Sequence, residues 1–173
     1  MGISGKKWGF VWFLVAVNRI SMMFRGINPI NLDAKGRMAI PSRYREKLSV
    51  HCEGQMVVTI DTESRCLLLY PLHEWEEIQQ KIEALPSFDK DARRIQRLLL
   101  GHATDVEMDG NGRLLVSAPL RQYAQLDKKI ILLGQGKKFE IWDEQLWSQT
   151  CEEYLQLTDS ESDLPVDLQS LSL

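Results

Sequence analysis

The sequence predicts a mainly β fold with flanking α-helices, built from one unit written twice and packed as an intramolecular pseudo-dimer. Three observations predict it. Asp33-Ala-Lys-Gly-Arg37-Met-Ala-Ile40 is echoed 76 residues on by Asp109-Gly-Asn-Gly-Arg113-Leu-Leu-Val116. Leu67-Leu-Leu-Tyr70-Pro-Leu-His-Glu-Trp75 is echoed 72 residues on by Phe139-Glu-Ile-Trp142-Asp-Glu-Gln-Leu-Trp147. Two echoes in the same order, with offsets that differ by four, mark a duplication with a change of loop length. The third observation is size: one copy, about 60 residues in four short strands, buries too little to stand alone, so the copies must share a β core.

The elements follow in order. Residues 1–22 hold Lys6, Lys7 and Arg19 and no acid, and Trp8 to Val17 is an unbroken apolar run of ten. That is half of the roughly 20 residues a helix needs to span a bilayer. Three readings fit it: a gene-start artefact with translation from Met22 or Met23, a membrane anchor, or a signal peptide. The first unit, 23–86, has strands at about 27–32, 37–40, 55–60 and 66–70, bounded by Gly, Asp and Asn as hairpin strands are. Leu72, Trp75, Ile78, Ile82 and Leu85 then recur at helical spacing, with Glu74, Glu76 and Glu77 where acids suit the helix dipole, and Pro86 ends the run.

The stretch 87–157 opens with a linking helix, capped by Ser87, whose apolar face is Phe88, Ala92, Ile95 and Leu99. The second unit follows, with strands at about 103–109, 112–116, 129–134 and 138–142 and a Gly134-Gln-Gly136 turn. Leu146, Trp147, Cys151, Tyr154 and Leu155 form its closing helix, at 144–156. Residues 158–173 are rich in Ser, Asp and Leu around Pro165 and read as a disordered acidic tail. After each glycine turn the chain enters a short basic segment, Arg43–Leu48 and Leu120–Tyr123. Trp75, Trp147 and Leu98–Leu100 suit either core packing or self-association.

Composition narrows the function. The 173 residues are 44% hydrophobic and 26% charged, with a net charge of −3, so no global positive field advertises nucleic acid. The charge is uneven, however: 23–50 holds Arg25, Lys35, Arg37, Arg43, Arg45 and Lys47 against Asp33 and Glu46. Cys52, Cys66 and Cys151 are odd in number and scattered, which reads as free thiols in a reducing compartment. His51, His73 and His102 stand at no metal-ligand spacing, so no metal or other cofactor is expected. The chain also lacks a nucleophile elbow, a phosphate-cradling G-x-x-x-x-G-K and a His-based triad, so it is not read as an enzyme and no small-molecule substrate is expected.

The chemistry lies in the doubled D-x-x-G-R. Gly36 and Gly112 supply a turn position where positive φ is cheap. Asp33 and Asp109 can accept from turn amides, and can hold a guanidinium two strands' width away. Arg37 and Arg113 then leave the hairpin in a fixed direction, which suits bidentate contact to guanine O6 and N7 in a major groove that admits a two-stranded ribbon. Lys35 and Asn111, one beside each turn, can reach phosphate or a base edge. A plainer reading competes, in which each Asp–Arg pair lies within its own hairpin and only stabilises the turn. Arg43, Arg45 and Lys47 are either phosphate contacts or solvated helix-face charges.

Phe24-Arg-Gly-Ile-Asn28, Leu32-Asp-Ala-Lys-Gly-Arg-Met-Ala-Ile-Pro41, Tyr44-Arg-Glu-Lys-Leu48 and Gly134-Gln-Gly-Lys-Lys-Phe-Glu-Ile-Trp142 closely resemble the MraZ family. The resemblance runs from about Met23 to Tyr154. It implies two SpoVT–AbrB swapped-hairpin (AbrB-like) units and a bacterial transcriptional regulator that represses its own promoter at the head of the division and cell-wall gene cluster. The implied partners are double-stranded DNA bearing short G-rich direct repeats and further copies of the chain, in a ring. The implied location is the cytoplasm, on the nucleoid, with a membrane partner only if residues 1–22 are translated and act as an anchor. The family's D-x-x-x-R motif, which carries DNA contacts, falls on Asp33–Arg37 and Asp109–Arg113. The alternative of another class is a non-enzymatic oligomeric scaffold or an antitoxin-like partner-binding module, since fold alone does not fix function.

Overall fold

The computed structural model describes residues 23–157; the readings of 1–22 and 158–173 lie outside it. Eight strands and five helices run in the order β1 (Phe24–Asn31), β2 (Arg37–Ala39), α1 (Ser42–Cys52), β3 (Gln55–Ile60), β4 (Leu67–Pro71), α2 (Leu72–Glu83), α3 (Lys90–His102), β5 (Thr104–Glu107), β6 (Arg113–Leu115), α4 (Ala118–Tyr123), β7 (Lys129–Gly136), β8 (Lys138–Asp143) and α5 (Glu144–Leu157).

The fold is mixed β and α, with two similar strand-and-helix repeats, and so departs from the mainly β expectation. The two basic segments are the reason. Arg43–Leu48 sits inside α1 and Leu120–Tyr123 inside α4. Each helix sinks few residues, Tyr44 and Leu48 in α1 and Leu120 in α4, so neither shows the broad apolar stripe that marks a helix in sequence.

Six strands form one antiparallel sheet in the order β1-β7-β8-β4-β3-β5, and β2 pairs with β6 in a separate two-stranded ribbon. With β1–β4 from the first repeat and β5–β8 from the second, the order reads alike from either end. β1 lies on β7 of the other repeat, β5 lies on β3, and β4 meets β8 at the centre. The chain therefore closes its sheet by exchanging its outer strands between repeats.

Both sheet faces are covered, which explains why β3 and β4 read as continuous apolar runs. On one face Met56, Val58, Ile60, Leu67, Leu69, Ile130, Leu132 and Phe139 meet the ribbon's Met38, Ile40, Leu114 and Val116. Phe24 stacks on Phe139 at 4.1 Å, and Tyr44 meets the same ring edge-on. On the other face Val57 packs with Trp75 and Ile82 of α2, while Ile131, Trp142 and Cys66 pack under Trp147 of α5. Trp75 is core, with its indole Nε1 donating to Gln79. Buried Thr59 donates to the Leu99 carbonyl at 2.7 Å and so ties α3 to β3.

Two local expectations are corrected. Ser87 does not cap α3; Asp89 does, its carboxylate accepting from the Ala92 amide at 2.8 Å, while 86–89 form a turn closed by Asp89 N to Pro86 O. The Gly134-Gln-Gly136 turn is strand up to Gly136, which pairs with Phe24, and the reversal falls at Gly136 (φ +71°) and Lys137.

Candidate nucleic-acid interface

The two D-x-x-G-R segments form the same turn twice. Asp33 N bonds Arg37 O and Gly36 N bonds Asp33 O, both at 2.9 Å; the bonds Asp109 N to Arg113 O and Gly112 N to Asp109 O match them at 2.9 and 2.8 Å. Gly36 and Gly112 take φ of +82° and +73°, a region L-residues rarely enter. In each turn the aspartate is the hub. Asp33 Oδ1 accepts from the amides of Lys35 and Arg37, both at 2.9 Å, and Oδ2 accepts from Arg37 Nε at 2.8 Å. Asp109 does the same with Asn111, Arg113 and Arg113 Nε at 2.9, 2.9 and 3.0 Å.

These bonds have an electrostatic consequence. The Arg37 amide, first of all, and then the Arg37 guanidinium and Lys35 amide hold the Asp33 carboxyl below its ordinary range. The Arg113 amide, followed by Asn111 and the Arg113 side chain, does this for Asp109. Each carboxylate thus holds the arginine of its own turn, not one two strands away, which is the intra-hairpin pair the plainer reading foresaw. That pair does not consume the arginine. Only Nε is engaged, and Nη1 and Nη2 have no partner among the described residues.

The ribbon decides where those groups point. In its register Arg37 stands opposite Leu115, Met38 opposite Leu114, and Ala39 opposite Arg113. Met38 and Leu114 are buried, so Arg37, Ala39, Arg113 and Leu115 share the outward face. Arg37 and Arg113 are diagonal neighbours on it, about 7–8 Å apart by strand geometry. Their side chains are 32% and 34% exposed, held at the base and open at the tip. Lys35 and Asn111 are exposed at the two turn tips.

On α1, Arg43 and Lys47 are exposed, and Arg43 binds Asn28 Oδ1 and lies over the Tyr44 ring. Arg45 was read in the sequence only as a helix-face charge or a phosphate contact. It is half-buried and packs against the second turn, as Arg121 packs against the first. Both arginines follow their D-x-x-G-R at the same distance, which marks them in the sequence as an equivalent pair but not the turn that each covers. Among the described residues no group of three or more His, Cys, Asp or Glu side chains can hold a metal ion, and no helix is long and apolar enough to cross a membrane.

The family model described as "MraZ protein, putative antitoxin-like" matches residues 23–98 and again 99–164. The chain belongs to the MraZ family. The "Transcriptional regulator MraZ" of Halorhodospira halophila is 55% identical over 152 residues, 87% of this chain and all of that protein. The protein of that name from Coxiella burnetii is likewise 55% identical over 152 residues, with the same coverage. That of Marinomonas sp. is 59% identical over 133 residues, 77% of this chain and 88% of its own. MraZ proteins are regulators rather than enzymes, and the doubled match fits the two similar repeats of the fold.

Proposed function

We propose that the chain is a sequence-specific DNA-binding repressor of its own promoter at the division and cell-wall gene cluster. It acts in the cytoplasm on the nucleoid and binds short G-rich direct repeats as a ring. The observation that carries this reading is the ribbon: two arginines on one outward face, each anchored at Nε by a carboxylate and open at both Nη groups. A guanidinium held this way presents two parallel donors end-on, which matches guanine O6 and N7, and a two-stranded ribbon fits the major groove. Lys35 and Asn111 flank the pair and reach phosphate or base edges. In this reading the duplicated units, 23–86 and 87–157, form an intramolecular pseudo-dimer that supplies one ribbon per chain, and a ring repeats the ribbon at a fixed spacing so that weak contacts add.

Charge supports the ring. Helix α3 exposes Lys90, Arg93, Arg94 and Arg97, whereas α5 buries no residue fully and exposes Glu152, Glu153 and Tyr154 beside a groove lined by Leu146 and Thr150. A basic helix on one side and an acidic one on the other suit a head-to-tail contact, which closes into a ring.

Fluorescence anisotropy of the full chain on duplex from upstream of its own gene, with a shuffled duplex beside it, tests the reading. Each lost bidentate contact costs about 1–3 kcal/mol, so Arg37→Ala with Arg113→Ala lowers affinity for the native duplex by well over about tenfold. A wild type that does not distinguish the duplexes, or a folded double variant that binds as well as wild type, overturns it. An assembled wild type that ignores DNA would point instead to the antitoxin-like, partner-binding reading that the family description carries.

A further inference from the structure

Each turn is covered by an arginine from the other repeat. A Cβ built on Gly112 would lie 2.3 Å from Arg45 Nε and 2.4 Å from its Cδ, so the Arg45 stem and guanidinium rest on the bare Cα of the second turn. A Cβ on Gly36 would lie 2.7 Å from Arg121 Cζ and 2.8 Å from its Nε. Arg45 is on α1, after the first turn; Arg121 is on α4, after the second. The crossing is reinforced by the backbone, because Ile40 N donates to Gly112 O at 2.8 Å and Val116 N donates to Gly36 O at 2.9 Å. Arg45 closes the first of these circuits, its Nε donating to Ile40 O at 2.6 Å. The Ile40 residue is thus held through its amide by the second turn and through its carbonyl by the arginine that packs on that turn. On the other side Arg121 Nε is buried without an acceptor among the described residues, so that brace works by packing alone.

We infer that Arg45 and Arg121 are positioning residues, cross-braces through which each repeat sets the turn that carries the other repeat's outward arginine. Glycine at 36 and 112 then has two physical causes: positive φ, and an arginine where a side chain would stand. The braces make the two turns one rigid body. If that body reads DNA, the fixed offset between Arg37 and Arg113 is a specificity determinant, since both guanidinia must meet their bases together. That last step rests on the DNA-binding reading above; the cross-brace does not.

The test uses the full chain with Arg45→Lys and Arg121→Lys, which keep the charge and lose the planar brace. Arg43→Lys, on the same helix as Arg45 but away from the second turn, is the control. Amide hydrogen exchange reads the braces without DNA. Arg45→Lys speeds exchange across 109–113 by about tenfold or more and leaves 33–37 as in wild type; Arg121→Lys does the reverse, more weakly. Unchanged exchange at the far turn, or a change confined to each arginine's own repeat, overturns the assignment. In binding, Arg45→Lys narrows the preference for native over shuffled duplex by roughly tenfold with the salt dependence unchanged. If Arg45→Gln, which removes the charge, lowers the salt slope by about one unit while Arg45→Lys leaves preference and far-turn exchange as in wild type, Arg45 is a phosphate contact and the brace is wrong. If wild type shows no preference, the DNA-binding reading fails, and exchange still decides the braces.

Discussion

Met38 faces Leu114 at the midpoint of the ribbon, each side chain almost wholly buried. This one pair determines the face to which Arg37 and Arg113 belong, because strand neighbours alternate and a shift of one residue would put the two arginines on opposite faces, one of them turned inward. The ribbon has three paired residues per strand, too short to hold register by its own ladder, so the buried central pair and the crossed bonds of Gly36 and Gly112 supply what the ladder lacks.

Truncation of Met38 or Leu114 to alanine therefore has two effects. The cavity costs about 2–5 kcal/mol, as for other large-to-small changes in packed cores. Denaturant melts give that number. The second effect is a loss of affinity for the native duplex that exceeds what the unfolded fraction accounts for, since the ribbon is loosened while the rest of the sheet persists. A variant with unchanged stability would contradict the buried placement.

Acid acts on the turns with a definite sign. Asp33 and Asp109 have folded-state pKa values below the ordinary 3.8. A carboxylate lowered on folding stabilises the native state above its unfolded pKa, and that contribution disappears as pH falls through the folded value. Stability is thus flat with respect to these groups near neutrality and declines below about pH 3.8, with the turns loosening first. Carbon-13 titration of the two carboxyl groups should give midpoints below 3.8, and Asp33→Asn should erase one of them. Midpoints at or above 3.8 would mean that the amides of Arg37 and Arg113 are not donating to them.

Much of this was legible in the chain because duplication made it redundant. All eight strands lie where alternation and turn residues put them, within about three residues at the ends. The D-x-x-G-R turns were visible because Gly and Asp have few other uses at that spacing. The helix α1 was legible only as a short basic segment with candidate helix-face charges, since Tyr44 and Leu48 are too few to make a stripe, and α4 was not legible, with six residues and only Leu120 buried. The Ser87 cap failed because Pro86, Ser87 and Phe88 fit a turn as readily as a cap, and only the bond from the Ala92 amide identifies Asp89. The crossed packing of Arg45 on Gly112 and of Arg121 on Gly36 was hidden for a different reason. It depends on which repeat each strand pairs with, and no local pattern encodes partner choice.

The three thiols should separate by reactivity. Cys66 is fully buried and donates toward Asp61 Oδ2 at 3.6 Å; burial first, and then the charges of Glu140 and Asp61, push its pKa far up. Burial also raises Cys52, whose Sγ donates to Leu48 O at 3.1 Å. Cys151 is half-buried on α5. Since the thiolate is the reactive form, a disulfide reagent at pH 8 modifies Cys151 first and Cys66 only when the sheet opens. Mass mapping of the labelled sites would reveal it. Equal rates at Cys66 and Cys151 in the native state would show that α5 does not seal the cluster beneath Trp147.

The charge pattern of α3 and α5 makes the proposed ring testable by exchange of signs. Arg93 and Arg97 are one turn apart on α3 and exposed, and Glu152 and Glu153 lie in the last two turns of α5. In a head-to-tail contact the helix of one copy meets that of the next, so each reversal alone places like charges face to face, which costs far more than an exposed pair contributes. Arg93→Glu with Arg97→Glu should move the concentration for assembly up by about tenfold, or 1.4 kcal/mol, and Glu152→Lys with Glu153→Lys should do the same. Chains carrying all four changes recover assembly, because the signs are then opposite again. Mass photometry across a dilution series gives all four curves. Recovery in the combined variant identifies the two helices as partners, whereas additive losses would mean that each helix meets something else. The acidic reversal also makes the chain's net charge more positive and with it raises nonspecific attraction to DNA, so assembly must be read without the duplex to keep the two effects apart.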